Sequence, residues 1–418
     1  MMKRMAVLAL SLTTLVSTGF AAEGAVPKGV PRLNHVFLIM MENHGYSQIV
    51  NNPNAAFINW LARSANSATN YFAVGHPSLT NYLEVVGGSN FGVQSDNSPD
   101  WHDSSCVPNL ESGIADTDNP SSPTICPISG IGMDAATPAV DTANEVQGTP
   151  GLNNIDGIQS VPAADDTLGI TIADQLVAAH RSWRSYQEDL PLGGANLVNY
   201  SDGFFTNNTD FGAILPTLNP PLSQGDVVAL YAVKHNPFAY FRNVQEGTEA
   251  ANSLRNVVGF DGANGLYADL ANDRVPSFSF IAPNQCNDQH GRGNAGAFCN
   301  YDPNDNGTQA GLNPALIIRG DVAVRRLVTV IHQSQAWRQG RNAIVIVWDE
   351  NDYSTAPNTN QVLLIVDTNY GVHGVQSRQR YTHFSLLKSL EAGFGLPCLN
   401  HACDQNVQVM TDLFTAAR

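Results

Sequence analysis

Two apolar runs of strand length in this chain each stop abruptly at acidic residues. Asn34 to Met41 reads NHVFLIMM and breaks at Glu42-Asn43-His44-Gly45; Ala343 to Trp348 reads AIVIVW and breaks at Asp349-Glu350-Asn351-Asp352. A continuous apolar run bounded by polar residues predicts a strand buried on both faces, the kind found in a parallel sheet wrapped by helices. Ligands in such sheets collect outside the carboxyl ends of the strands. Both acidic clusters are therefore expected at the edge where a site forms.

The rest of the pattern agrees. Gln361 to Asp367 (QVLLIVD) and Ser277 to Ile281 (SFSFI) read as further strands. Thr171 to Ser182 and Asp321 to Trp337 carry apolar residues at helical spacing. Strands alternating with helices predict an α/β fold with a central, mostly parallel sheet covered by helices on both faces. With 43% hydrophobic and 14% charged residues over 418 positions, a large core is available and disorder is excluded as the global state. Residues 23–418 are read as one domain. Two polar, loop-rich stretches interrupt the periodicity: an insertion at about 89–166, and Asn284 to Gly311.

Lys3 and Arg4 precede an apolar run from Met5 to about Val16, with small residues to Ala22. This describes a signal peptide over 1–22; an uncleaved anchor is the other reading, but the run is shorter than the ~20 residues that span a bilayer. The expected location is periplasmic or secreted, with no stable membrane anchor after cleavage. Without Lys3 and Arg4, 19 of the 21 basic residues face 37 acidic ones, a mature charge of about −18. Such a surface repels nucleic acid, and no basic run offsets it. Six cysteines in an oxidising compartment predict disulfides, and sequence proximity suggests 106–126, 286–299 and 398–403.

Adjacent acids at a strand end are either a solvated turn or a cation site, because a buried carboxylate needs compensation. Two such ends, Glu42-Asn43 and Asp349-Glu350, favour a divalent cation that prefers oxygen ligands. A third element is GHPSLTNYLEVVGG from Gly75 to Gly88. Ser78 falls where a helix begins, so its hydroxyl is either a helix cap or, beside a cation and a helix N-terminus, a nucleophile toward phosphorus.

Seven segments in order, HVFLIMMENHGYSQI, NYFAVGHPSLTNYLEVVGG, SWRSYQEDLP, YAVKHNPFAYF, FIAPNQCNDQHG, VIVWDEND and YTHFSLLKSLEAGFGLP, resemble the phosphoesterase family of bacterial acid phosphatases and phospholipases C. The family lies within the alkaline phosphatase superfamily, so the resemblance implies an alkaline-phosphatase-like sandwich. It implies one divalent metal ion (Mg, Mn, Ca or Zn) held by Glu42, Asn43, Ser78, Asp349 and Glu350. Ser78 matches the nucleophile, Asn81 and Asn43 match phosphoryl contacts, and His76, His235 and His290 match catalytic or phosphate-pocket histidines. His383 is a further candidate for the pocket. No D-x-x-x-H motif for a second metal is present, only Asp288 with His290, and Thr80 replaces a proline common in the family.

The HPSLTNYL form is closer to the acid phosphatases than to the phospholipases. The expected activity is therefore metal-dependent hydrolysis of a phosphate monoester, of a small molecule or a lipid, through a phosphoserine, with an acidic to neutral optimum. Phospholipase C activity and an inactive exported binding protein of the same fold are the alternatives.

Overall fold

The computed structural model describes residues 23–76, 78–91, 170–190, 230–245, 247–291, 314–351 and 359–415. The expected signal peptide, nearly all of the expected insertion, Cys106, Cys126, Cys299 and Asp352 lie outside the described residues. The strands are β1 (His35–Met41), β2 (Asn66–Phe72), β3 (Trp183–Gln187), β4 (Val257–Gly259), β5 (Phe278–Ala282), β6 (Asn342–Trp348), β7 (Gln361–Thr368), β8 (Gln376–Ser377) and β9 (Tyr381–Thr382). The helices are α1 (Tyr46–Ile49), α2 (Ala56–Ser64), α3 (Ser78–Gly87), α4 (Ile172–Ala178), α5 (Arg242–Gln245), α6 (Leu266–Ala271), α7 (Pro314–Gln333), α8 (Gln335–Arg338) and α9 (His383–Phe394).

Among the described residues, all nine strands form one sheet, ordered β4-β3-β5-β1-β6-β7-β2-β8, with β9 also on β2. From β4 to β6 every pairing is parallel. β7 runs antiparallel to both β6 and β2, so β2 points the same way as β6. The carboxyl ends of β1, β2, β3, β5 and β6 therefore share one edge. The two apolar runs read from sequence lie side by side at the centre, with Val36 opposite Ala343 and Met41 opposite Trp348. Val36 to Met41 and Ala343 to Trp348 are fully buried. Each large apolar side chain there contributes roughly 1.5–3 kcal/mol on leaving water.

β2, with the sequence NSATNYF, is a strand that its polar composition conceals. Its first residue is held by tertiary bonds: Asn66 donates from Nδ2 to the carbonyls of Val372 (2.8 Å) and Leu413 (2.9 Å) and accepts from Val375 N (3.0 Å). The helix expected at Asp321 to Trp337 starts earlier, at Pro314, and breaks at Ser334. Ser334 Oγ accepts from Trp337 N at 3.2 Å and caps α8 as a new helix.

The start of α2 is capped from another helix. Its own N-cap is Ala55, which has no side-chain acceptor. Asp321 of α7 supplies both oxygens instead, accepting from Ile58 N at 2.7 Å and Phe57 N at 3.1 Å. The carboxylate also complements the positive helix end. Asp321→Ala is expected to lower stability by about 1–2 kcal/mol. Urea unfolding checks this as a shifted midpoint with unchanged m-value.

α9 ends at Gly395, whose φ of 74° is the left-handed conformation that a helix C-cap requires. Near that end Glu391 is fully buried, and burial raises its carboxyl well above the usual range. Its Oε1 accepts from Leu399 N at 2.8 Å. A raised folded pKa means the contribution is intact below the unfolded value of 4.5 and is lost as pH rises through the folded value. Glu391→Gln keeps the acceptor without the charge. The expected result is an unchanged Tm near pH 4 and a Tm raised by roughly 2–4 °C at pH 8, measured by calorimetry at both pH values.

The Cys398–Cys403 disulfide expected from sequence is present. Cys286 is also disulfide-bonded, to a partner outside the described residues. Among the described residues, no helix is long and apolar enough to cross a membrane.

Candidate functional site

The strand ends are stitched together by backbone. Glu42 N donates to Asp288 O, and Asp349 N donates to Met41 O, both at 2.9 Å. The residues after β1, β5 and β6 are thus held in one layer. Asn43 takes φ 47°, a left-handed turn that asparagine tolerates better than most residues. That turn places its N–H 3.0 Å from Asp349 Oδ1.

Ser78 is the first residue of α3 and is 1% exposed. The sequence left open whether it caps this helix. Its Oγ faces the strand ends instead, donating toward Glu42 Oε2 and Glu350 Oε1 at 3.1 Å each, with Asn43 Oδ1 at 3.5 Å. His76 Nδ1 lies 2.5 Å from Glu350 Oε2. Residues separated by more than 270 positions in sequence therefore meet at one hydroxyl.

A second group adjoins the first. His235 Nε2 is 3.2 Å from Glu42 Oε1, and its Nδ1 is 3.3 Å from Asp288 Oδ2. The imidazole stacks on Tyr82, four residues after Ser78, at 5.3 Å between centroids and 9° between planes. His290 N donates to Asp288 Oδ1 at 2.7 Å, and His290 Nδ1 faces Gly291 O at 2.7 Å. The loop that carries both is anchored by Gln289, which accepts from Trp348 Nε1 at 2.9 Å and donates to Ile317 O at 3.1 Å. Gly320 makes this approach possible, since a Cβ there would meet Gln289 Cγ at 2.2 Å.

Two expected substrate contacts are committed to the protein. Asn81 accepts from Val74 N and Gly75 N at 3.0 Å each, and donates to Gly75 O at 2.9 Å and Glu350 Oε2 at 3.3 Å. It clamps the loop that leads into Ser78. His383 faces Asp349 O at 2.7 Å and Tyr71 Oη at 2.9 Å, so both ring nitrogens are engaged behind the acidic strand end. Burial holds its pKa down at about 4. In this arrangement the polar atoms of both side chains have buried backbone and side-chain partners.

The electrostatics are those of crowded carboxylates. Burial, then Asp349 and Asp288, push Glu42 well above the usual range, while Lys234 and the Tyr82 hydroxyl pull it back. Asp349 is pushed up to about 7 by burial and then by Glu350. Burial also raises Asp288, and burial followed by Lys234 and His290 holds His235 well below its ordinary value. Glu42 Oε1, Asp349 Oδ2 and Asp288 Oδ2 are buried without an aligned hydrogen bond. Hard oxygen donors under this mutual repulsion fit a divalent cation. Among the described residues, no three His, Cys, Asp or Glu side chains are already drawn into a coordination set. Two of the five expected donors, Asn43 and Ser78, are of other types.

The Phosphoesterase family profile matches residues 51–299, more than half of the chain. The chain belongs to the Phosphoesterase family. The matched span holds His76, Ser78, Asn81, His235 and His290, while Glu42-Asn43 and Asp349-Glu350 flank it. The chain is 24% identical over 376 residues to an acid phosphatase of Aspergillus fumigatus, covering 90% of this chain and 58% of that protein. It thus spans less than two thirds of that relative's length. It is 22% identical to a phosphatidylinositol-3-phosphatase of Mycobacterium tuberculosis, covering 94% of this chain and 88% of that one. Among solved structures, an alkaline phosphatase superfamily protein from Vibrio parahaemolyticus aligns with 92% of this chain and 71% of its own, at 11% identity and a TM-score of 0.42.

Two side chains beside this cluster were not singled out from the sequence: Tyr82, within GHPSLTNYLEVVGG, and Lys234, within YAVKHNPFAYF. The sequence carried little signal for Lys234, since a lone lysine is ordinarily exposed and only the structure shows this one buried.

Proposed function

We propose that this chain is an exported acid phosphatase that hydrolyses phosphate monoesters through Ser78. The observation that carries the reading is a buried serine hydroxyl at a helix start, 3.1 Å from each of two carboxylates. Glu42, Asn43, Ser78, Asp349 and Glu350 would hold one divalent cation, which when bound supplies positive charge for a phosphoryl oxygen and for the serine oxygen as it loses its proton.

Glu350 Oε1 or Glu42 Oε2 takes that proton. The Ser78 oxygen attacks phosphorus in line, forming the Oγ–P bond as the bond to the leaving oxygen breaks. Amides at the start of α3 face charge on the equatorial oxygens. His76, paired to Glu350 through Nδ1, hands a proton to the leaving alcohol from its other nitrogen. His290 is less suited to this: its Nδ1 faces Gly291 O at 2.7 Å and its Nε2 lies 3.4 Å from the Lys234 ammonium, so both ring nitrogens face protein groups. Water then attacks the phosphoserine and gives a proton to the now neutral His76; as the P–Oγ bond breaks, the serine oxygen takes back the proton held by the carboxylate and phosphate leaves.

The names of the relatives, acid phosphatase and phosphatidylinositol-3-phosphatase, both describe phosphate removal, which supports soluble and lipid monoesters as substrates. The disulfide at Cys398–Cys403 supports export to an oxidising compartment. The test compares inorganic phosphate released from p-nitrophenyl phosphate with phosphocholine released from phosphatidylcholine vesicles. Phosphate release is the expected result. Exclusive phosphocholine release overturns the reading in favour of a phospholipase C.

A further inference from the structure

Lys234 is the middle residue of the short turn Val233–His235 and is 5% exposed. Its Nζ lies 3.4 Å from His290 Nε2. Its charge is felt by Glu42 at the end of β1, by Asp288 after β5 and by His235 beside it. The ammonium therefore stands inside the acidic site rather than on the surface.

The turn that carries it is held in place. Gln187 at the end of β3 donates to His235 O at 3.2 Å, and Ser185 of the same strand donates to Asn236 Oδ1 at 3.0 Å. A flexible side chain is thus rooted in a fixed backbone, next to His235, whose ring stacks on Tyr82 one helical turn after Ser78.

The geometry points to Lys234 as the group that binds a non-bridging phosphoryl oxygen and makes the site prefer dianionic monoesters to monoanionic diesters; this rests on the phosphatase reading above. A monoester carries a charge of about −1.5 to −2 at neutral pH, and a diester carries one negative charge. Glu42, Asp288, Asp349 and Glu350 oppose that extra charge. A buried ammonium offsets it strongly, because little water screens it. Lysine suits the task as a compact point charge with three donors that follow a tetrahedral oxyanion. A positively charged group that only neutralised the carboxylates would affect both ester classes alike.

The test uses p-nitrophenyl phosphate and methyl p-nitrophenyl phosphate, which share a leaving group and differ in charge. Lys234→Met removes the charge at nearly constant volume. It is expected to lower kcat/KM for the monoester about 10- to 100-fold and to change the diester rate much less. Equal losses on both substrates, or none on the monoester, overturn the inference. Lys234→Arg keeps the charge and is expected to keep the monoester preference. A folded Arg variant without that preference overturns it even if the Met variant does not fold. Titration calorimetry with inorganic phosphate gives a readout independent of turnover: affinity is expected to fall about 10-fold or more in Lys234→Met. Equal binding by parent and variant refutes the role of Lys234. If the parent binds phosphate but hydrolyses neither ester, the phosphatase reading is refuted, while weaker phosphate binding by Lys234→Met still supports the contact made by the lysine.

Discussion

Ser78→Ala is expected to abolish phosphate release, lowering kcat by about 10⁴-fold or more. In the proposed reaction the hydroxyl is the attacking atom, and it is also the point where the two strand ends converge, so no neighbour replaces it. The nearest side-chain oxygens belong to Glu42, Asn43 and Glu350, two carboxylates and an amide, none of which is an alcohol. The fold should survive, since a single small side chain is shortened and α3 keeps its buried apolar residues Leu79, Leu83 and Val86. Loss of the donor to Glu42 and Glu350 costs on the order of 1–3 kcal/mol, visible as a modest fall in Tm. Acid-quenched parent enzyme should yield a phosphorylated peptide containing residue 78, absent from the variant. Activity retained within tenfold would rule out the covalent route.

The second large effect concerns the cation. Treatment with a chelator is expected to reduce turnover by about 10³-fold, with recovery when one of Mg, Mn, Ca or Zn is restored. Stability gives a separate reading of the same site. A cation at a hundred times its Kd stabilises the folded chain by about 2.7 kcal/mol, so the parent should show a Tm that rises with added metal. Glu42→Gln removes one buried charge from a group that Asp349 and Asp288 already oppose. The metal-free variant is therefore expected to be at least as stable as the metal-free parent, yet to gain no Tm on adding metal and to lose about 10³-fold in turnover. A metal-induced rise in Tm that persists in Glu42→Gln would remove Glu42 from the ligand set.

The residues involved show why some features were legible early. The runs before Glu42 and Asp349 announced buried central strands because a residue flanked on both faces by helices has no polar alternative. Their lengths matched β1 and β6 to within a residue. β2 was hidden because Asn66 and Ser67 are satisfied by distant carbonyls and amides, which local composition does not reveal. Asn81 and His383 were assigned to the phosphate pocket on the strength of resemblance; their hydrogen bonds to the loop before Ser78 and to the carbonyl of Asp349 are long-range contacts that no local pattern announces.

By itself the sequence determined the α/β class, the two acidic strand ends, the serine at a helix start and the Cys398–Cys403 link. Each depends on contacts within about a dozen residues, or on the rule that apolar runs are buried. Tertiary structure alone decided which atoms face one another. It turned the Ser78 hydroxyl away from a capping role and onto Glu42 and Glu350. It set His235 between two carboxylates and against Tyr82, and brought Lys234 into their field. The physical reason is that a charge or hydroxyl takes its chemistry from whatever burial places within a few ångströms, and here those neighbours come from strand ends as far apart in sequence as residues 42 and 350.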